Sequence, residues 1–348
     1  MLLFLMLGVA VGFQLHAQQN EADRKLFEEI KTKAEKGDAQ SQFKLGAAFS
    51  FGNLGVTKDD VEAVKWYRKA AEQNYAPAQS NLGACYDEGR GVVKDSAEAV
   101  KWYRKAAEQN LAEAQSNLGY CYDEGRGVVK DSAEAVKWYR SAAEQNYAAA
   151  QYNLGVCYAF GIGVTVDEVE AVKWYRRAAD QNNAGAQYNL GIRFANGRGV
   201  EKDSAEAVKW YRKAAEQGLD LAQWNLGLCH GLGIGVPQDY VLAHKWFNLA
   251  AAQDFTPAKA FRKIAENSMT PEQIAEGQRL ARGFKPLKQS NKDNSGSNEN
   301  SSGSGTGFFI FGRWILDFKQ SRSQRSKQSP RGHKRRYDCC QGSKGGCG

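Results

Sequence analysis

The chain has 348 residues, of which 42% are hydrophobic and 25% are charged, and its formal net charge is +8. This charge does not describe a uniformly basic, nucleic-acid-binding protein, because residues 285–348 alone hold 13 Lys or Arg against 4 Asp or Glu. The preceding 284 residues hold 34 basic and 35 acidic side chains and are nearly neutral.

The chain begins with an uncharged apolar run, MLLFLMLGVAVGF, and a polar stretch follows in which Ala17 precedes Gln18. The run has the length of a secretory hydrophobic region and is shorter than the roughly 20 residues of a membrane-spanning helix. We predict a signal peptide over residues 1–17, so that the mature protein is exported, periplasmic or secreted, and has no membrane span. An uncleaved anchor is the alternative.

Residues 75–110, YAPAQSNLGACYDEGRGVVKDSAEAVKWYRKAAEQN, show the unit of an internal repeat. Apolar and small residues at helical spacing predict two helices per unit, separated by the turn Gly89–Gly91 and ended by Asn110. One helix pair cannot bury its apolar face alone, so the pattern predicts a stack of pairs. The period is 36 residues, as shown by Trp66, Trp102, Trp138, Trp174, Trp210 and Trp246.

Each second helix is predicted to begin with a capping box. Asp95 is expected to accept from the backbone of the first turn, while Glu98 reaches back to the N–H of Asp95. The same spacing recurs at Asp59/Glu62, Asp131/Glu134, Asp167/Glu170 and Asp203/Glu206, and only Asp239, followed by Leu242, lacks the Glu.

The motifs A-x-A-Q-x-N-L-G-x-x-Y, G-x-G-V and A-V-K-W-Y-R-K-A-A-E-Q resemble the Sel-one-like repeat (SLR) family, a relative of the tetratricopeptide repeats. The resemblance covers residues 39–267, as six 36-residue repeats and a final first helix. It implies an all-α fold, a right-handed superhelical solenoid of antiparallel helix pairs, that acts as an adaptor for other proteins. Residues 18–38 are expected to form an N-terminal capping helix, and residues 268–286 a closing helix with Thr270 as its cap.

The positions two before and two after the core Leu of each first helix are predicted to face away from the core, at 100° per residue. An asparagine precedes each Leu and forms a ladder beside them. First helices line the concave side in such solenoids, so we expect this face to bind a protein or peptide. The alternative is that these side chains pack between neighbouring first helices. The residues are Asn81, Asn117, Tyr120, Tyr152, Asn153, Val156, Tyr188, Asn189, Ile192, Trp224, Asn225 and Leu228.

Cys85, Cys121, Cys157 and Cys229 occupy one equivalent position in four repeats. Neighbouring copies should lie about 9–10 Å apart, beyond the ~7 Å reach of a disulfide, so we predict small buried hydrophobes. No Cys/His or Ser/His/Asp set recurs, and no metal-ligand spacing is present. The sequence therefore predicts no catalysis, no cofactor and no metal; a hydrolase in its own right is the alternative.

Residues 287–306 form a Ser/Asn/Gly linker. Residues 305–310, GTGFFI, resemble the opening of a trypsin-like, Deg-type peptidase domain, and the resemblance stops at Phe311. One interpretation is a frameshift, so that residues 307–348 are the lost start of such a domain. The other is a genuine disordered basic tail, which would bind nucleic acid or anionic lipid. We expect no nucleic-acid partner for an exported chain.

Overall fold

The computed structural model describes residues 21–287. Every regular element in this range is an α-helix, which confirms the predicted all-α fold. Helix α1 covers residues 21–35. The next helices are α2 Ala39–Phe51, α3 Asp60–Glu72, α4 Ala76–Glu88, α5 Ser96–Glu108, α6 Ala112–Glu124, α7 Ser132–Glu144, α8 Ala148–Phe160, α9 Glu168–Asp180, α10 Ala184–Asn196, α11 Ser204–Glu216, α12 Asp220–Leu232, α13 Tyr240–Ala252, α14 Thr256–Glu266 and α15 Pro271–Arg282.

The helices form a solenoid of stacked pairs. The even-numbered helices α2 to α12 are the first helices of six repeats, and each packs most extensively on the second helix that follows it. Each second helix also packs on the first helix of the next repeat. Because contacts join only neighbours in the stack, the stability of the array depends on the interfaces between repeats.

The second helices begin at the predicted aspartates, but the capping box is only half formed. Asp95 Oδ1 accepts from the backbone N–H groups of Ala97 and Glu98, at 3.0 Å each. The N–H of Asp95 itself donates to the carbonyl oxygen of Tyr86, at 2.9 Å. Glu98 therefore has no vacant donor to reach, and it pairs with Lys101 Nζ at 2.8 Å instead.

The Gly-x-Gly turn has a role that the sequence pattern does not show. Gly125 ends α6 in the left-handed conformation, with φ +70°. Gly127 has φ +68°, and a Cβ added there would lie 2.1 Å from the carbonyl oxygen of Ser96 in the preceding repeat. The second glycine thus lets the backbones of consecutive repeats touch, and the equivalent glycines make the same approach.

The core consists of small residues, leucines and aromatic rings. Leu82 is fully buried, and Tyr103 lies against Gly83, where an added Cβ would be 2.8 Å from its ring. Alanines such as Ala99 and Ala106 complete each layer and let the helices approach closely.

A row of amide side chains joins the two helices of each repeat and also links consecutive repeats. Gln109 Nε2 donates to Gln79 Oε1 at 2.7 Å and to Asn74 Oδ1 at 3.1 Å. Gln79 in turn donates to the carbonyl oxygen of Ala71 at 3.1 Å. Asn74 can accept because it has φ 63°, the left-handed conformation predicted for the equivalent Asn110. The other five repeats contain the equivalent Gln–Gln bond.

Helices α14 and α15 end the described stack. Thr270 caps α15 in a complete capping box with Gln273. The completely buried His244 of α13 bonds Glu266 of α14 at 3.0 Å, and Gly277 of α15 packs against its ring. The predicted signal peptide, the basic tail and all but the first residue of the linker lie outside the described residues.

Candidate functional site

The structure places most of the predicted partner-binding residues inside the stack. Five are half-buried and keep accessible area: Asn81, Ile192, Trp224, Asn225 and Leu228. The others are buried: Asn117, Tyr120, Tyr152, Asn153, Val156, Tyr188 and Asn189.

Two predicted tyrosines illustrate why these side chains are covered. Tyr188 is only 3% exposed, and its hydroxyl accepts from Asn225 Nδ2 of the next first helix at 3.2 Å. The ring centroid of Tyr152 lies 6.1 Å from that of Tyr175. Burial raises the pKa of both Tyr152 and Tyr188 well above the usual range. The Tyr188–Asn225 bond joins consecutive repeats, whereas the Tyr152–Tyr175 contact lies within one repeat. Both tyrosines leave little area for a partner.

An accessible row of aliphatic side chains remains at the C-terminal end of the same face. Ile192 and Leu228 are half-buried, and Ile264 is 60% exposed. They occupy one equivalent position in three consecutive first helices, α10, α12 and α14, each 36 residues after the last. Leu232, 64% exposed, lies one turn beyond Leu228. We call these four residues the aliphatic row.

The sequence analysis did not identify Ile264 and Leu232 as part of this face. The signal for Ile264 was the 36-residue period continued from Leu228 into the final first helix. Leu232 follows Leu228 by four residues and thus lies on the same side of α12. Trp224 and Leu228 pack against the same core cluster, and the Trp224 ring centroid lies 5.6 Å from that of Phe255 and 5.9 Å from that of Phe261.

The cysteines are buried, as predicted. Burial raises the pKa of the Cys85 thiol to about 11 and that of the Cys121 thiol to about 12. Both thiols are therefore protonated at neutral pH and are poor nucleophiles. The fifth repeat departs from this pattern, because Arg193 stands at the cysteine position and forms a buried ion pair with Glu168.

His230 replaces a tyrosine that recurs in the earlier repeats. In those repeats an arginine of the preceding second helix donates to the tyrosine hydroxyl, as Arg104 does to Tyr122 at 2.5 Å. His230 is 4% exposed, and neither of its ring nitrogens has a hydrogen-bond partner. Burial, reinforced by the charge of Arg212, lowers the pKa of His230.

We expect His230→Tyr to stabilise the solenoid and to reduce its sensitivity to acid. A folded-state pKa below the usual value near 6.5 means that the neutral imidazole stabilises the fold above pH ~6.5, and that this contribution is lost as the pH falls below it. Arg212 and Lys245 oppose protonation, and only Asp239 favours it. The thermal midpoint of the wild type should therefore fall more between pH 7.5 and 5 than that of His230→Tyr; equal falls would contradict this account.

Residues 21–287 contain neither a metal-binding cluster nor a helix that could span a membrane. Over this range, no group of three or more His, Cys, Asp or Glu side chains is arranged to hold a metal ion. The helices described are also too short or too polar for any of them to cross a bilayer.

The repeats match a known family along most of the described chain. The Sel1 repeat matches residues 39–75, 76–111, 112–147, 148–183, 184–219 and 220–255. A curated relative, the ERAD-associated E3 ubiquitin-protein ligase component HRD3A of Arabidopsis thaliana, is 32% identical over 65 residues. That alignment covers 19% of this chain and only 10% of the relative's length.

Two solved structures have a similar fold. A protective antigen of uropathogenic Escherichia coli with an SLR fold is 42% identical, with a TM-score of 0.65, over 74% of this chain and 56% of the antigen. A Sel1 repeat protein from Oxalobacter formigenes is 35% identical, with a TM-score of 0.60, over 70% of this chain and 96% of that protein. The family match, which spans more than half of the sequence, leads to one conclusion: the chain belongs to the Sel1 repeat family.

Proposed function

We propose that this protein is an exported adaptor that binds a protein or peptide partner through the aliphatic row and catalyses no reaction itself. The observation that carries the proposal is the accessible row Ile192, Leu228 and Ile264 with Leu232 beside it. Apolar side chains that stay accessible on three successive first helices form a surface that association would remove from water. The apolar run before Ala17 supports export.

The polar side chains beside the row are suited to peptide recognition. Asn225 is half-buried, and its Nδ2 is already engaged with Tyr188. Its Oδ1 is an acceptor for a backbone N–H, while the aliphatic row accommodates apolar side chains of the partner. The relative HRD3A is, by its name, a component of a ligase, which is in keeping with a scaffold role for Sel1 repeats.

A photocrosslinking amino acid at residue 264 tests this proposal. We expect it to capture a partner in the producing cells, and Leu232→Asp to abolish the capture, because a charge on the row must be desolvated on binding. The matched control is Val129, which is 88% exposed on a turn of the third repeat. A crosslinker at residue 129 should capture nothing, and Val129→Asp should leave capture at residue 264 unchanged.

Capture that survives Leu232→Asp, or that is equal from both positions, would show that the row is not the binding site. The exposure of Leu232 and Ile264 makes them suitable positions for these substitutions. Replacing the buried Tyr152 or Tyr188 would disturb the stack itself, whereas Leu232 and Ile264 are more than half exposed.

A second candidate is a truncated member of a Sel1-repeat and trypsin-like protease architecture. The favouring observation is the GTGFFI stretch of residues 305–310, which lies outside the described residues. DNA sequencing across codon 311 tests it: an open peptidase frame one nucleotide away supports this candidate, and its absence removes it.

A further inference from the structure

The second helices carry lysines of two kinds. Lys101 forms an ion pair with Glu98 at 2.8 Å, and the equivalent lysines of four other repeats pair in the same way. Lys105, four residues on, has no carboxylate within ion-pair distance in the described part of the chain. Its Nζ lies 4.3 Å from the centroid of the Trp102 ring instead. In the second repeat, one lysine is thus neutralised by a neighbour, and the other is not.

A lysine or arginine lies over a tryptophan ring in several repeats. Lys69 and Lys213 lie 3.8 Å and 4.2 Å from the ring centroids of Trp66 and Trp210. Arg177 takes the same place in the fourth repeat, at 4.6 Å from Trp174. A cation–π contact holds a cation in position without cancelling its charge. These three cations and Lys105, here called the cation row, are all exposed, and the row is interrupted at the third repeat, which has Ser141 at this position.

The neighbouring arginines are fixed in a similar way. Arg104 Nη2 donates to the Tyr122 hydroxyl of the next repeat at 2.5 Å, and Arg68 donates likewise to Tyr86. A guanidinium has five N–H donors, so most of them remain for an external acceptor. These arginines are therefore oriented by aromatic rings and remain charged.

The spacing of the cation row suits an extended chain. Equivalent positions in consecutive helices of a stack lie about 10 Å apart. An extended or polyproline-type peptide advances about 3.1–3.3 Å per residue, so every third side chain would meet the next repeat. In each of these four repeats a carboxylate follows three residues after the cation, such as Glu108 after Lys105, and the neighbouring arginine, such as Arg104, leaves an excess of one cation.

We propose that the cation row binds an acidic, extended segment of a partner protein. This surface lies on the second helices, apart from the aliphatic row of the first helices. A single-stranded nucleic acid suits it less well, because such ligands stack their bases on free aromatic faces. Here the cations themselves cover the rings of Trp66, Trp102 and Trp210.

Two triple variants with the same net charge test the proposal. Lys69→Gln, Lys105→Gln and Lys213→Gln remove the cation row's lysines. Lys65→Gln, Lys101→Gln and Lys209→Gln remove their Glu-paired counterparts. The probe is a labelled peptide with glutamate at every third position, and its binding is measured by fluorescence anisotropy at low and high salt. Circular dichroism checks that each variant is folded, which we expect because all six side chains are exposed.

The first triple variant should weaken peptide binding about tenfold, and the second by less than about threefold. Binding by the wild type should decrease as salt increases. Equal losses in both variants would indicate a response to net charge alone and would overturn the proposal, as would no binding by the wild type. Tighter binding of an oligothymidylate than of the peptide would reassign the surface to nucleic acid and overturn it too.

Discussion

Gly127→Ala is expected to lower the free energy of unfolding by about 4 kcal/mol, whereas Gly125→Ala, two residues earlier, should cost about 1–2 kcal/mol. Both glycines have positive φ, at +68° and +70°, so both alanines pay the same conformational penalty. Only at Gly127 does the added Cβ meet backbone, 2.1 Å from the Ser96 carbonyl oxygen. At Gly125 the nearest atom is the Cβ of Lys130, at 3.2 Å.

The difference between the two variants therefore isolates the contact between the second and third repeats. Urea unfolding followed by circular dichroism measures it. The backbone of Ser96 opens the helix α5 and cannot move away without breaking the repeat interface, so Gly127→Ala should also broaden the transition as the repeats uncouple. Similar costs for the two variants would show that this interface relaxes and that the close approach is unimportant for stability.

The period of the sequence was sufficient to predict the helix pairs and the aspartate N-caps, and the burial of the cysteines was also predicted. A fixed period determines which residues are equivalent, and stacking makes equivalent residues neighbours. The period does not determine which atoms touch. The close backbone approach at Gly127 and the side-chain bond between Gln109 and Gln79 could therefore be found only in the structure. Likewise, the reach of Glu98 depends on whether the N–H of Asp95 is already taken by Tyr86.

The candidate site was predicted only in part, for a related reason. A rotation of 100° per residue describes the directions of side chains on one helix. A first helix in this stack is contacted by second helices and by first helices on either side, so Tyr152 and Tyr188 are covered although they point away from Leu154 and Leu190. The sequence analysis did not identify the cations of the second helices as a surface. Their charges nearly cancel those of the carboxylates in the net charge of residues 1–284, and the net charge does not show where either kind of side chain lies.

Glu168→Ser is expected to lower the free energy of unfolding by about 3 kcal/mol. Arg193 is 4% exposed and forms an ion pair with Glu168, and its guanidinium carbon lies 5.9 Å from the ring centroids of both Phe160 and Tyr175. Arg193 Nε already lacks a hydrogen-bond partner. Removing Glu168 would thus leave the buried guanidinium of Arg193 with aromatic neighbours and no carboxylate. An uncompensated buried charge of this kind strongly destabilises a fold.

The sequences of neighbouring repeats indicate which second substitution would compensate for Glu168→Ser. Neighbouring repeats have serine and cysteine at the two equivalent positions, as in Ser132 and Cys157. Arg193→Cys alone should cost less, about 1 kcal/mol, because the partly solvated Glu168 retains Arg198 Nε at 3.6 Å. The double variant Glu168→Ser with Arg193→Cys should have a stability within about 1 kcal/mol of the wild type.

A double-mutant cycle by urea unfolding measures the coupling directly. We expect a coupling of about 3 kcal/mol, because each single variant leaves a charge that its partner satisfied and the double variant leaves none. Additive losses would mean that Arg193 and Glu168 stabilise the fifth repeat separately, through packing rather than through their ion pair. Full recovery would show instead that a charged pair and the Ser–Cys pair are interchangeable at one interface of the solenoid, so that Arg193 is retained for something other than stability.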